Sequence, residues 1–100
     1  MPPAEEQALK DTTAQIDSQT APAGREAAQG WGTEFKNRPL AGKSIGELPQ
    51  RPAGFYREYR VIVNGNTENY RVVTGSNGKE MWYSWTHYGE KGGTSFVKIR

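Results

Sequence analysis

The sequence predicts a small α+β domain, with one N-terminal helix packed on a four- to five-stranded antiparallel sheet. Three observations predict it. First, the apolar residues crowd toward the C-terminus. Of 25 strong apolar residues and 11 aromatics in the 100-residue chain, residues 55–100 hold 17 and 9. Second, that segment is punctuated by Asn64-Gly65, Asn77-Gly78 and the stretch from Gly89 to Gly93. Asn-Gly is the strongest short hairpin signal. Third, a single helical periodicity precedes it.

Ala4 to Asp17 is expected to be that helix. Leu9, Thr12, Thr13 and Ile16 recur along one stripe, narrowed by the two β-branched threonines. Ser18 to Gly30 contains Pro22, Gly24 and Gly30 and reads as loop. Trp31 to Pro52 reads as loop and short strand, with Pro39, Pro49 and Pro52 favouring extended backbone. Four runs rich in Val, Ile, Tyr, Trp and Phe follow as strands: Phe55–Val63, Asn69–Thr74, Lys79–Trp85 and Thr94–Ile99. Consecutive hairpins make them a meander, and the helix is the expected cover for one face. The chain is one domain over 1–100, divided into helix and loop (1–30), a loop region (31–54) and the sheet (55–100).

Composition narrows the chemistry. No apolar run approaches the roughly 18 residues of a helical membrane span, so no membrane role is expected. The chain has no Cys, which excludes a disulfide framework, a thiolate metal site and a cysteine nucleophile. His87 is the single histidine, so no multi-histidine metal site exists and none is expected. Residues 1–50 carry 5 basic and 7 acidic side chains, and residues 51–100 carry 8 and 4. A basic, aromatic half hints at a polyanion partner. Met1 to Glu6 lacks the basic start and apolar segment of a signal peptide. A cytosolic protein and a domain cut from a longer chain both fit.

Strand alternation selects candidate functional groups. In Phe55–Val63, it puts Tyr59, Val61 and Val63 on the helix face and Glu58 and Arg60 on the other. On the next strand, Arg71 points opposite to Tyr70 and Val72. A two-residue turn at Asn64-Gly65 would set Glu58 directly opposite Arg71, and a longer loop or bulge would shift that register by a residue or two. His87 follows the third strand and is expected near the rim. Carboxylate, guanidinium and imidazole on one face are what metal-free RNA cleavage requires: a base for the ribose 2′-OH, a fixed cation for the phosphate, and an acid for the leaving oxygen. The bland alternative is a solvated ion pair worth little and a structural histidine. On the residues alone both readings stand.

The succession Phe35 to Arg38, Leu48-Pro49, Gly54 to Ile62, Tyr70 to Gly75, Thr86 to Tyr88 and Ser95-Phe96 resembles the microbial guanyl-specific ribonucleases, the family of barnase and the Streptomyces ribonucleases, over about residues 31 to 100. The resemblance implies the microbial ribonuclease fold and metal-independent endoribonuclease activity without a cofactor. Single-stranded RNA would be cut by transesterification to a 2′,3′-cyclic phosphate, which is then hydrolysed. It implies Glu58 as general base, Arg71 as phosphate clamp and His87 as general acid. Tyr56 would lie beside Glu58, and Tyr88 against the bound nucleotide. Phe35, Lys36, Asn37 and Arg38 would form the base-binding loop, shaped by Asn37.

Three departures stand out. Pro39 occupies the position where the family usually carries a base-reading Glu, which puts guanine preference in doubt and leaves Glu47 as a candidate substitute. Thr67 stands where a second phosphate-contacting arginine is frequent, a loss that Arg57 or Arg60 would have to compensate. Gly89 to Gly93 is an insertion that brings Lys91. Many such relatives are C-terminal toxin domains, secreted or delivered into a target cell and paired with an immunity protein. An acidic inhibitor covering Arg71 and His87, and a monomeric enzyme, are the corresponding expectations. The rival readings are a catalytically silent nucleic-acid- or protein-binding module on the same fold, and a metal-dependent nuclease, disfavoured by the single histidine.

Overall fold

The computed structural model describes residues 3–21, 30–37, 46, 48–65, 70–75, 78–85 and 96–100. One helix, α1 (Pro3–Asp17), precedes five strands: β1 (Trp31–Phe35), β2 (Tyr56–Arg60), β3 (Tyr70–Gly75), β4 (Glu80–Trp85) and β5 (Val97–Lys98). All pair antiparallel with their chain neighbours, in the order β1-β2-β3-β4-β5. This is the expected meander, with the fifth strand drawn from the Trp31–Pro52 region.

Helix α1 begins at Pro3, one residue before the expected start. Proline suits a first turn, where its missing N–H has no intrahelical partner. Glu5 and Glu6 in that turn complement the helix dipole. The far end closes on Gln19, at φ 56°. The Gln19 N–H bonds the Ile16 carbonyl at 3.1 Å, and the Thr20 N–H bonds the Gln15 carbonyl at 2.9 Å. That pairing satisfies carbonyls the helix leaves open.

The helix covers a core of Val61, Val63, Val72, Met81 and Tyr83, flanked by Ala8, Leu9, Ile16, Tyr59 and Tyr70. Val61, Val72 and Met81 are wholly buried, each worth about 1.5–3 kcal/mol of apolar transfer. The helix stripe differs from expectation at one position. Thr13 bonds back to the Lys10 carbonyl at 3.0 Å and stays outside the core, whereas Glu5 is buried. The Glu5 carboxylate accepts a 2.6 Å hydrogen bond from the Tyr83 hydroxyl, tying the first turn of the helix to β4.

A second cluster lies on the opposite face: Leu48, Tyr56, Val73 and Trp82, with Phe35, Phe55 and Phe96. The sheet is therefore packed on both sides. At the chain's end, Arg100 pairs with both Asp17 oxygens at 2.7 and 2.9 Å, joining the last strand to the helix C-terminus.

Of the two registers open at the first hairpin, the shifted one is observed. Glu58 does not stand directly opposite Arg71. The ladder pairs Glu58 with Val73 and Arg60 with Arg71. Asn64 and Gly65 do take positive φ, 49° and 80°, as a tight turn needs. The ladder resumes farther along, with the Val61 N–H on the Tyr70 carbonyl at 3.0 Å. Two additional residues separate turn from ladder, so the register moves by two and every side chain keeps its face.

Candidate active site

Because the register shift is even, Glu58 and Arg71 still share the face opposite the helix. They are diagonal neighbours on β2 and β3, with Arg71 Nη1 3.9 Å from Glu58 Oε2. Both are partly open to solvent, at 32% and 49% side-chain exposure for Glu58 and Arg71. An ion pair this long and wet contributes little stability. Its significance is chemical: a proton acceptor and a fixed cation stand side by side on an accessible surface.

Neighbouring strands build the surroundings. Thr33 of β1 faces Glu58 in register, and its hydroxyl lies 3.5 Å from Glu58 Oε1. Phe35, two residues on, places its ring 6.0 Å from the Arg71 guanidinium carbon. That is the outer reach of a cation–π contact. Phe35 also meets Tyr56 and Phe96 edge-on, with centroids 6.2 and 5.5 Å apart.

The chain leaves β1 through Lys36, exposed, and Asn37, at φ 50°. Asparagine tolerates this left-handed region better than most residues. The Asn37 amide nitrogen donates to the Leu48 carbonyl at 2.8 Å, and its oxygen accepts from the Leu48 N–H at 3.1 Å. One side chain thus replaces a backbone pair and pinches the segment between residues 37 and 48 at its base. Gly46 comes so close that a side chain there would run into the Asn37 carbonyl and amide. Tyr56 anchors the same segment from below. Its hydroxyl donates to the Pro49 carbonyl at 2.6 Å, and its ring stacks edge-on against Trp82 at 5.7 Å. Burial pushes the Tyr56 phenol above its ordinary range, so the hydroxyl stays a donor. Tyr56 sits beneath the site rather than on its surface, at 3% exposure.

Arg60 stands opposite Arg71 in register, its guanidinium passing beside Gly30. Arg57 faces the other way. It lines a cleft of about 680 Å³ with Ile16, Asp17 and Tyr59 at the end of the helix, away from Glu58. Of the two arginines considered as replacements for the one missing at Thr67, Arg60 alone is on a strand position facing Arg71. Arg38, Pro39, Glu47, Thr67, His87, Tyr88 and Lys91 lie outside the described residues. Strand β4 carries the chain to Trp85, paired with Tyr70 next to Arg71, two residues before His87 in sequence. Among the described residues, no group of three or more His, Asp or Glu converges as a metal site.

Reading strands by alternation missed Thr33 as a neighbour of Glu58. A signal was present: Gly32 inside an otherwise strand-like run marks a bulge. The sequence carried no comparable mark for the burial of Glu5.

Comparison with known proteins bears on the fold as a whole. A family model described as ribonuclease matches residues 2–100. Among solved structures, the crystal structure of ribonuclease Sa2 with guanosine-2'-cyclophosphate superposes with a TM-score of 0.66 at 30% sequence identity, over 100% of this chain and 88% of that one. No curated protein sequence matches.

Proposed function

From the premise that the chain belongs to the microbial ribonuclease family and is an RNA-cleaving enzyme, we propose that it is a metal-independent endoribonuclease acting through Glu58, Arg71 and His87. The Glu58 carboxylate takes the proton from a ribose 2′-OH. The freed 2′-oxygen attacks its own phosphorus. Arg71 balances the charge that builds on the equatorial phosphate oxygens. His87 donates a proton to the departing 5′-oxygen, giving a 2′,3′-cyclic phosphate and a free 5′-OH. Hydrolysis then runs in reverse sense: His87 takes a proton from water, and Glu58 returns one to the 2′-oxygen. The observation that carries this reading is the Glu58–Arg71 juxtaposition at 3.9 Å on an open sheet face.

The base would be received by Phe35 to Arg38, in a loop held to Leu48 by Asn37. Ribonuclease Sa2 was solved with a guanosine nucleotide, and a guanosine nucleotide is the ligand class this loop is proposed to take. Pro39 offers neither a carboxylate nor an N–H to the base edge. Guanine preference is therefore expected to be weaker than a reading carboxylate would give.

The test is digestion of single-stranded RNA in excess EDTA by the native protein, Glu58→Ala and His87→Ala. Cleavage with cyclic-phosphate ends and losses of about 10²–10⁴-fold in each variant are expected. Undiminished cleavage by both variants overturns the assignment. RNA binding without turnover by the native protein points instead to a silent module, and activity abolished by EDTA to a metal-dependent nuclease.

A further inference from the structure

The start of β1 has an irregularity that reaches into the site. Trp31 pairs with Tyr59, yet Thr33 pairs with Glu58, so two steps along β1 match one step along β2. The additional residue is Gly32, at φ 69°. A side chain there would be strained by that dihedral and would begin 3.4 Å from the Tyr59 ring. In an unbroken strand, Trp31 and Thr33 would share a face. The bulge separates them. Trp31 turns with Tyr59, their rings edge-on with centroids 4.9 Å apart. Thr33 turns to the opposite face, against Glu58. Bulges re-aim side chains beside functional groups in this way.

We propose that Thr33, delivered by the Gly32 bulge, is a positioning residue that holds one oxygen of the Glu58 carboxylate while Arg71 faces the other. This rests on Glu58 acting as the base. The contacts divide the carboxylate between strands: Thr33 Oγ1 is 3.5 Å from Oε1, and Arg71 Nη1 is 3.9 Å from Oε2. Contacts to both oxygens bias the rotation of the carboxyl plane, which decides whether a lone pair points at the 2′-OH. A single hydroxyl at long range supplies a modest effect, felt in the chemical step rather than in binding RNA.

Other charged or titratable groups stand on that face. Arg71 comes from β3, Tyr56 from β2, Glu80 from β4 and Lys98 from β5 over the Trp82 ring; Thr33 is the contribution of β1, and Arg60 lines a cleft with Asp11 of the helix and Trp31. None changes when the Thr33 hydroxyl alone is removed.

The experiment compares the native protein, Thr33→Val, Thr33→Ser and Glu58→Gln on one short RNA. Valine keeps the branched shape and deletes the donor; serine restores the donor. Thr33→Val is expected to lower kcat about 3- to 10-fold with KM nearly unchanged. Thr33→Ser is expected to recover most of that loss. If Glu58→Gln is inactive while Thr33→Val matches the native kcat, the positioning role is overturned and the base assignment survives. If Glu58→Gln retains native activity, the base assignment fails and takes this proposal with it.

Discussion

Substituting Tyr83 by Phe deletes one oxygen from the centre of the molecule and tests how the helix is held. Tyr83 is 1% exposed and Glu5 6%. Their bond, at 2.6 Å, is short, and its acceptor is a carboxylate. Hydrogen bonds to charged groups are worth about 1.5–3 kcal/mol, and a buried acceptor left without its donor adds desolvation cost. Tyr83→Phe is therefore expected to cost about 2–3 kcal/mol. At the usual sensitivity of a domain this size, that lowers Tm by roughly 10–20 °C. Glu5→Gln keeps an acceptor oxygen without the charge and should cost less. Glu5→Leu combined with Tyr83→Phe removes both partners of this bond and should be milder than the single losses predict. Thermal and urea unfolding of the native protein, Tyr83→Phe, Glu5→Gln, Glu5→Leu and the double variant, followed by circular dichroism, measures this. A Tyr83→Phe loss under about 0.5 kcal/mol, or strict additivity in the cycle, would refute the reasoning.

Two other outcomes are expected. Burial first, and then the bond and charge of Glu5, hold the folded Tyr83 phenol well above its ordinary value of 10.0. The folded state therefore keeps a proton that the unfolded state gives up, so the contribution is intact below about pH 10 and stability falls as pH rises further, by at most about 1.4 kcal/mol per pH unit from one group; alkaline denaturant titrations should show this slope, reduced in Tyr83→Phe. Asn37→Gly preserves the freedom to hold φ 50° but deletes both bonds to Leu48, so it should raise KM for RNA several-fold while leaving kcat nearer native; steady-state kinetics on a short RNA would contradict this by showing an unchanged KM.

Alternation made much of this legible. Tyr59, Val61, Val63 and Val72 face the helix, and Glu58 and Arg71 face away, as period-two reading requires. The register was harder to read. It depends on the number of residues between turn and ladder, and composition does not encode that number. A shift of two residues leaves every face intact, so Glu58 and Arg71 are neighbours without being directly paired. The second apolar cluster escaped notice because Leu48, Phe35 and Phe96 lie far apart in sequence. Glu5 was invisible for another reason: a first-turn glutamate is normally a solvated partner of the helix dipole, and nothing local announces a tyrosine 78 positions later.

The two packed faces divide the labour of the molecule. The helix side is anchored by wholly buried Val61, Val72 and Met81 and by the Glu5–Tyr83 bond. The opposite side is a half-open surface on which β2 alternates burial with exposure: Tyr56 at 3% and Glu58 at 32% for its side chain. Tyr56 is fixed from below by Trp82 and from the side by Pro49. Glu58, two residues on, therefore rises from backbone that a buried neighbour immobilises. The Pro49 carbonyl that Tyr56 grips adjoins Leu48, which Asn37 grips from just beyond β1. A disturbance of the Tyr56–Trp82 packing would consequently reach the Asn37–Leu48 contacts and the Glu58 carboxylate together. A fixed backbone under Glu58 and the seating of Leu48 and Pro49 are two consequences of one aromatic pair.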